Sequence, residues 1–83
     1  MAWHVSQMPR KSAPDPALAA VLRRLRVERG TTQEALAHGS GITTGSLARI
    51  ELGQASPAWT TVRQIAAALD VSLAEIAAAV ERS

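Results

Sequence analysis

Residues 33–52 read QEALAHGSGITTGSLARIEL, and the spacing inside this stretch decides the fold. A first short helix is expected from Gln33 to about Gly39. Thr31 and Glu34 have the spacing of a capping box, and either Thr31 or Thr32 can serve as the N-cap. Ser40-Gly41 then breaks the chain, because glycine takes positive φ at little steric cost. Thr43 caps the next helix, which runs to Leu52 with Gly53 as its stop. Ala37 lies one turn before the break, where the two helices approach and a small residue is needed. Ile42, Leu47 and Ile50 supply the apolar side of the second helix.

Upstream of this stretch, Asp15-Pro16 is a helix start, with aspartate as N-cap and proline at the first position. Leu18, Val21, Leu22 and Leu25 follow at helical spacing, and Gly30 ends this helix. Beyond Gly53, the segment Gln54 to Ala58 is a loop containing Pro57. A fourth helix is expected from about Trp59 to Leu69, with Val62, Ile65, Ala66 and Leu69 inward. Ser72 and Glu75 form a second capping box. The last helix is expected over about Leu73 to Glu81, with Leu73, Ile76, Ala77 and Val80 on one face. Five short helices and no strand signal predict an all-α domain over residues 15–83. Residues 1–14, MAWHVSQMPRKSAP, show no periodicity and are expected to form a flexible basic arm.

Composition narrows the classes of function. Of 83 residues, 47% are hydrophobic, 17 are alanine, and the aromatics are Trp3 and Trp59. Such a chain favours packed helices over strands or disorder. With no cysteine, it has no disulfide, no thiolate metal site and no cysteine nucleophile. No apolar run approaches a membrane span, and the N-terminal segment lacks the apolar core of a signal peptide. The net charge of +2 is a weak pointer to an anionic partner, but its distribution says more. Residues 1–29 hold Arg10, Lys11, Arg23, Arg24, Arg26 and Arg29 against Asp15 and Glu28, a balance of +4. Residues 30–83 hold three arginines against five acids, a balance of −2. The basic surplus therefore lies in the arm and the first helix.

Two short helices meeting across a glycine turn are the pattern of a helix-turn-helix. In this setting the sequence resembles the Cro/C1 repressor type of that motif, the XRE family. The resemblance is carried by LRRLRVERGTTQEALA, by SGITTGSLARIELG and by ASPAWTTVRQIAAALDVSLAEI, and covers about residues 17–80. It implies a five-helix, lambda-repressor-like helix-turn-helix domain that binds double-stranded DNA, usually as a symmetric homodimer.

Helix geometry and the resemblance together nominate the site. At about 100° per residue, Leu47 and Ile50 define the buried side of the third helix. Gly45, Ala48, Arg49 and Leu52 then face away, with Thr44 on the flank. In the docking mode that the resemblance implies, this face meets base edges in the major groove. Base contact is accordingly assigned to Thr44, Gly45, Ala48 and Arg49. Arginine can pair with guanine, methyl groups can meet the thymine methyl, and Gly45 permits close backbone approach. Gln33 opens the second helix, where N–H groups and the dipole favour an anion, and the resemblance implies a phosphate contact there. Thr43, Ser46 and Gln54 are further candidate phosphate donors, joined by Arg10 and Lys11 of the arm. Glu51 lies about 40° from Leu47, near the core. The resemblance implies that it forms a structural ion pair with Arg26.

Other chemistry is weakly represented. His4 and His38 have no second ligand at metal spacing, so no metal or cofactor is expected. No nucleophile triad, phosphate loop or HExxH motif is present, so the chain is not read as an enzyme. Trp59 is read as a core or staple residue, or else as a dimer contact. The apolar stripe of the last helix is either core or a dimer face. The expected function is a cytoplasmic, nucleoid-associated transcriptional regulator, with repression as the expected sign. Two alternatives stay open. One is an antitoxin-like module that binds a protein partner and its own promoter. The other is an architectural DNA binder that uses the arm without sequence preference.

Overall fold

The Asp15 side chain accepts the Ala17 and Leu18 N–H groups at 3.0 and 3.2 Å and starts helix α1, Pro16–Glu28. The computed structural model describes residues 14–83, and the expected arm, with Arg10 and Lys11, lies outside the described residues. Four more helices follow: α2 (Gln33–Ser40), α3 (Thr44–Glu51), α4 (Trp59–Leu69) and α5 (Leu73–Arg82). No strand occurs among the described residues, so the all-α, five-helix expectation holds, with boundaries within about a residue of those read from the sequence.

Four of the five helix starts carry a side-chain cap. Thr32, Thr43 and Ser72 accept the N–H three residues on, from Ala35, Ser46 and Glu75, each at 3.0 Å. The Glu75 carboxylate returns to the Ser72 N–H and completes the capping box. At α2, the choice left open between two threonines falls to Thr32. The Thr31–Glu34 box does not form, because α2 begins at Gln33 and Thr31 lies one residue before the cap, its backbone bonded to Arg26. Its N–H donates to the Arg26 carbonyl at 3.1 Å, and its own carbonyl accepts from the Arg26 guanidinium at 2.9 Å. At α4, Ala58 occupies the cap and offers no side-chain bond.

The turn between α2 and α3 depends on one backbone conformation. Gly41 has φ +73°, and this lets Ile42 N–H reach the Ala37 carbonyl at 3.0 Å and Gly41 N–H reach His38 at 3.2 Å. These are the paired bonds of a Schellman ending. The same pair closes α4 at Asp70, which takes φ +56° without being a glycine.

One core joins all five helices. Val21 and Leu22 of α1, Leu36 and Ala37 of α2, and Leu47 and Ile50 of α3 meet Ile65, Ala66, Leu69, Ile76 and Ala79 from α4 and α5. Burying aliphatic side chains of this size is worth about 1.5–3 kcal/mol each. At Gly39 helix α2 lies close on α4: a Cβ there would meet the Ala68 Cβ at 3.4 Å, the near edge of ordinary contact.

Two sequence expectations are corrected. On α5, Ala79 is buried while Ala77 is exposed; Leu73 and Val80 are half-buried. Ala77 lies about 100° round the helix from Ile76 on one side and Ala79 about 60° on the other. The core contacts α5 between Ile76 and Ala79, which leaves Ala77 outside it. Trp59 is not a core residue either: it remains 64% exposed at the start of α4.

Ser40 is buried at 2% exposure beside the turn, and its hydroxyl has no hydrogen-bond partner among the described residues. Ser40→Ala is therefore expected to leave thermal stability unchanged or raised. Gly41→Ala is expected to cost about 1–2 kcal/mol, because a Cβ there meets nothing within 4 Å and the cost is backbone strain alone. Thermal unfolding followed by circular dichroism checks both; a Ser40→Ala loss as large as that of Gly41→Ala would show that the hydroxyl is satisfied.

Candidate nucleic-acid interface

Helix α3 has two unlike sides. Leu47 is fully buried, Ile50 is 5% exposed and Glu51 is 6% exposed. Thr44, Gly45 and Arg49 are exposed, Ala48 and Ser46 are half-buried, and Leu52 follows at 69% exposure. The four residues assigned to base contact thus lie together on the outward side of one eight-residue helix. The Arg49 guanidinium makes no ion pair or side-chain hydrogen bond among the described residues, so it is available to an anionic or carbonyl acceptor. Gly45 leaves open space, with nothing within 4 Å of the position a Cβ would take.

The candidate phosphate donors flank this face at the helix ends. Thr43 caps α3 through its oxygen, and its hydroxyl donates to the Ser46 oxygen at 2.9 Å. The Ser46 hydroxyl therefore retains its own hydrogen for an outside acceptor. Gln54 is exposed just past α3, with its N–H on the Arg49 carbonyl at 2.9 Å. Gln33 is the first residue of α2, half-buried. Its amide nitrogen donates to Glu51 Oε1 at 3.0 Å, a bond that no sequence feature announces.

Glu51 is the centre of a network. Arg26 Nε lies 2.8 Å from Glu51 Oε2, and Arg26 Nη2 lies 3.0 Å from Oε1. The two side chains are 13% and 1% exposed. The structural ion pair expected from the sequence is therefore present, bidentate and nearly dry. Arg26 also donates to the Thr31 carbonyl, so one guanidinium joins α1, the α1–α2 link and α3. The pair between Arg24 and Glu28 is of a different kind, at 3.7 Å with both side chains more than half exposed.

Away from this face, an open apolar groove of about 510 Å³ runs between the starts of α1 and α4 and the length of α5. Leu18, Trp59, Leu73, Ala77 and Val80 line it. His38 is exposed on α2, and among the described residues no three His, Asp or Glu side chains gather as a metal site would need. No described helix is long and apolar enough to cross a membrane.

The two ion pairs predict unequal losses. Arg26→Ala is expected to cost about 3 kcal/mol, because it strands a buried carboxylate. Arg24→Ala is expected to cost less than about 0.5 kcal/mol, because its partner is already solvated. Urea titration of both variants measures the difference; equal midpoints would remove Glu51 from its central place.

Comparisons with known proteins agree with this geometry. A helix-turn-helix family model matches residues 22–76. The clp gene regulator ClgR from Corynebacterium glutamicum superposes with a TM-score of 0.78 at 27% identity, over 86% of this chain and 92% of that one. The restriction-modification controller protein C.AhdI from Aeromonas hydrophila gives 0.73 at 31% identity, over 78% and 98%. The controller protein C.Esp1396I shares the fold, with a TM-score of 0.79 at 24% identity over 87% and 95%. No curated protein sequence matches the chain. With two helices joined by a glycine turn, an outward α3 face and a family match across most of the domain, the chain belongs to the Cro/C1-type (XRE) helix-turn-helix family of DNA-binding transcription regulators.

Proposed function

We propose that this chain is a sequence-specific repressor that binds duplex DNA as a homodimer, with α3 in the major groove. The observation that carries the reading is the outward side of α3. Thr44, Gly45, Ala48 and Arg49 share it, while Leu47, Ile50 and Glu51 hold the opposite side in the core. Arg49 is the member able to discriminate most strongly, by pairing with O6 and N7 of a guanine. Gln33, Thr43, Ser46 and Gln54 hold phosphates and set the register without reading sequence. Arg10 and Lys11 of the arm add charge that the motif lacks, since Arg49 is the sole lysine or arginine between Gly30 and Arg63.

The second copy is assigned to the apolar groove beside α5. Trp59, Ala77 and Val80 border it, and an exposed indole next to such a groove suits self-association. A two-fold pair would place its α3 helices about 34–36 Å apart, one turn of duplex. ClgR is a gene regulator, and C.AhdI and C.Esp1396I are controllers of restriction-modification systems. Their likeness favours regulation over the antitoxin-like and architectural readings.

Fluorescence anisotropy against a duplex selected from a random pool, at several salt concentrations, tests the division of roles. Arg49→Ala is expected to weaken the selected duplex about tenfold or more and a random duplex much less. Arg10→Ala is expected to weaken both by a similar factor and to flatten the salt dependence by about one charge. Equal behaviour of the two variants would remove the assignment. Sedimentation tests the dimer: Ala77→Asp, at an exposed position, is expected to keep the fold and shift the chain toward monomer. A wild type that stays monomeric both free and on DNA would remove the dimer.

A further inference from the structure

The Gln33–Glu51 hydrogen bond assigns a second task to the buried carboxylate. We propose that Glu51 is a positioning residue for DNA binding, because it fixes the orientation of the Gln33 amide at the start of α2. The inference rests on the reading of Gln33 as a phosphate donor given above.

An ionised carboxylate only accepts, and a glutamine amide has one accepting oxygen and two N–H hydrogens. An amide facing Glu51 must therefore present its nitrogen, as it does at 3.0 Å from Oε1. The reversed amide would set oxygen against oxygen. One N–H is used in this way, and the second, about 120° from the first in the same plane, stays available to a phosphate oxygen. Glu51 thus selects one of the two amide orientations.

Glu51 is itself held firmly enough to do this. Arg26 grips both carboxylate oxygens, at 2.8 and 3.0 Å, and the Glu51 side chain is 1% exposed. A bidentate pair of this kind leaves the carboxylate little rotational freedom. Gln33 then loses less conformational entropy when it meets DNA, since its amide is already ordered. Thr32 contributes separately: its hydroxyl takes the Ala35 N–H and leaves the N–H groups of Gln33 and Glu34 without an intrahelical acceptor. Glu51 belongs to α3, so the phosphate donor of α2 and the outward face of α3 share one rigid frame. A phosphate bound at Gln33 therefore fixes the register of Arg49 as well.

A merely structural role for Glu51 would lower stability and leave the Gln33 contribution to binding unchanged. A double-substitution cycle separates the two. Wild type, Gln33→Met, Glu51→Gln and the double variant are titrated with the selected duplex, at a temperature where circular dichroism shows each one folded. Gln33→Met is expected to weaken binding about tenfold, the size of one lost hydrogen bond. Glu51→Gln is expected to weaken wild type about fivefold or more, and the Gln33→Met protein less than twofold. The same factor in both backgrounds would overturn the proposal. Gln33→Met without effect would overturn it too, while leaving the DNA-binding reading standing. Failure of wild type to bind any duplex would instead overturn that reading.

Should Glu51→Gln fail to fold, the wild-type protein still decides. Nitrogen-15 relaxation is expected to show the Gln33 side-chain amide nearly as rigid as the α2 backbone, and the amide of exposed Gln64 on α4 mobile. Two equally mobile amides would overturn the proposal.

Discussion

The structure turns on a carboxylate that has been taken out of water. Glu51 sits 6% exposed at the end of α3, a place where an unpaired charge would be strongly unfavourable. Its two oxygens accept from Arg26 of α1 and Gln33 of α2, so three helices are fixed relative to one another at a single point. The fork geometry of arginine suits this position, since it meets both oxygens in one plane. The apolar core supplies most of the favourable free energy, but apolar packing tolerates small rotations of a helix. A bidentate ion pair tolerates them far less, and the angle of α3 is what a groove-reading helix must control.

The remainder of the domain builds on this. Schellman endings at Gly41 and Asp70 turn the chain within three residues, so α2 and α3, and then α4 and α5, join without long loops. Helix α4 lies close behind α2 where Gly39 meets Ala68. The reading helix is thereby backed by the core on one side and left open on the other. The basic surplus that the sequence puts ahead of the motif fits this division: α3 provides shape and a single arginine, and most of the charge comes from α1 and the residues before it.

Much of this was legible in the chain. Asp15-Pro16, Thr43 and Ser72 with Glu75 marked helix starts because capping is local chemistry within four residues. Leu47 and Ile50 marked the buried side of α3 because helical period alone determines which side chains share a face. The outward positions of Gly45, Ala48 and Arg49 follow from the same period, while Thr44, on the flank, is exposed as the first residue of the helix. The threonine that caps α2 was not legible, since Thr31 and Thr32 offer the same hydroxyl. In the fold the Thr31 carbonyl accepts from Arg26, five residues back, and the Thr32 hydroxyl takes the cap.

The sequence by itself determined the elements, their order and the polar and apolar sides of α3, because these depend on interactions within a turn or two of helix. Tertiary structure alone decided which way α5 rolls, burying Ala79 and exposing Ala77, because that depends on where α1 and α4 present their own apolar surface. It also left Trp59 outside the core, beside an open groove. Above all it brought Gln33 to Glu51 across 18 residues of chain, a meeting that no local spacing encodes. It exists because the core packs α2 and α3 together, and a buried carboxylate must then take every donor within reach.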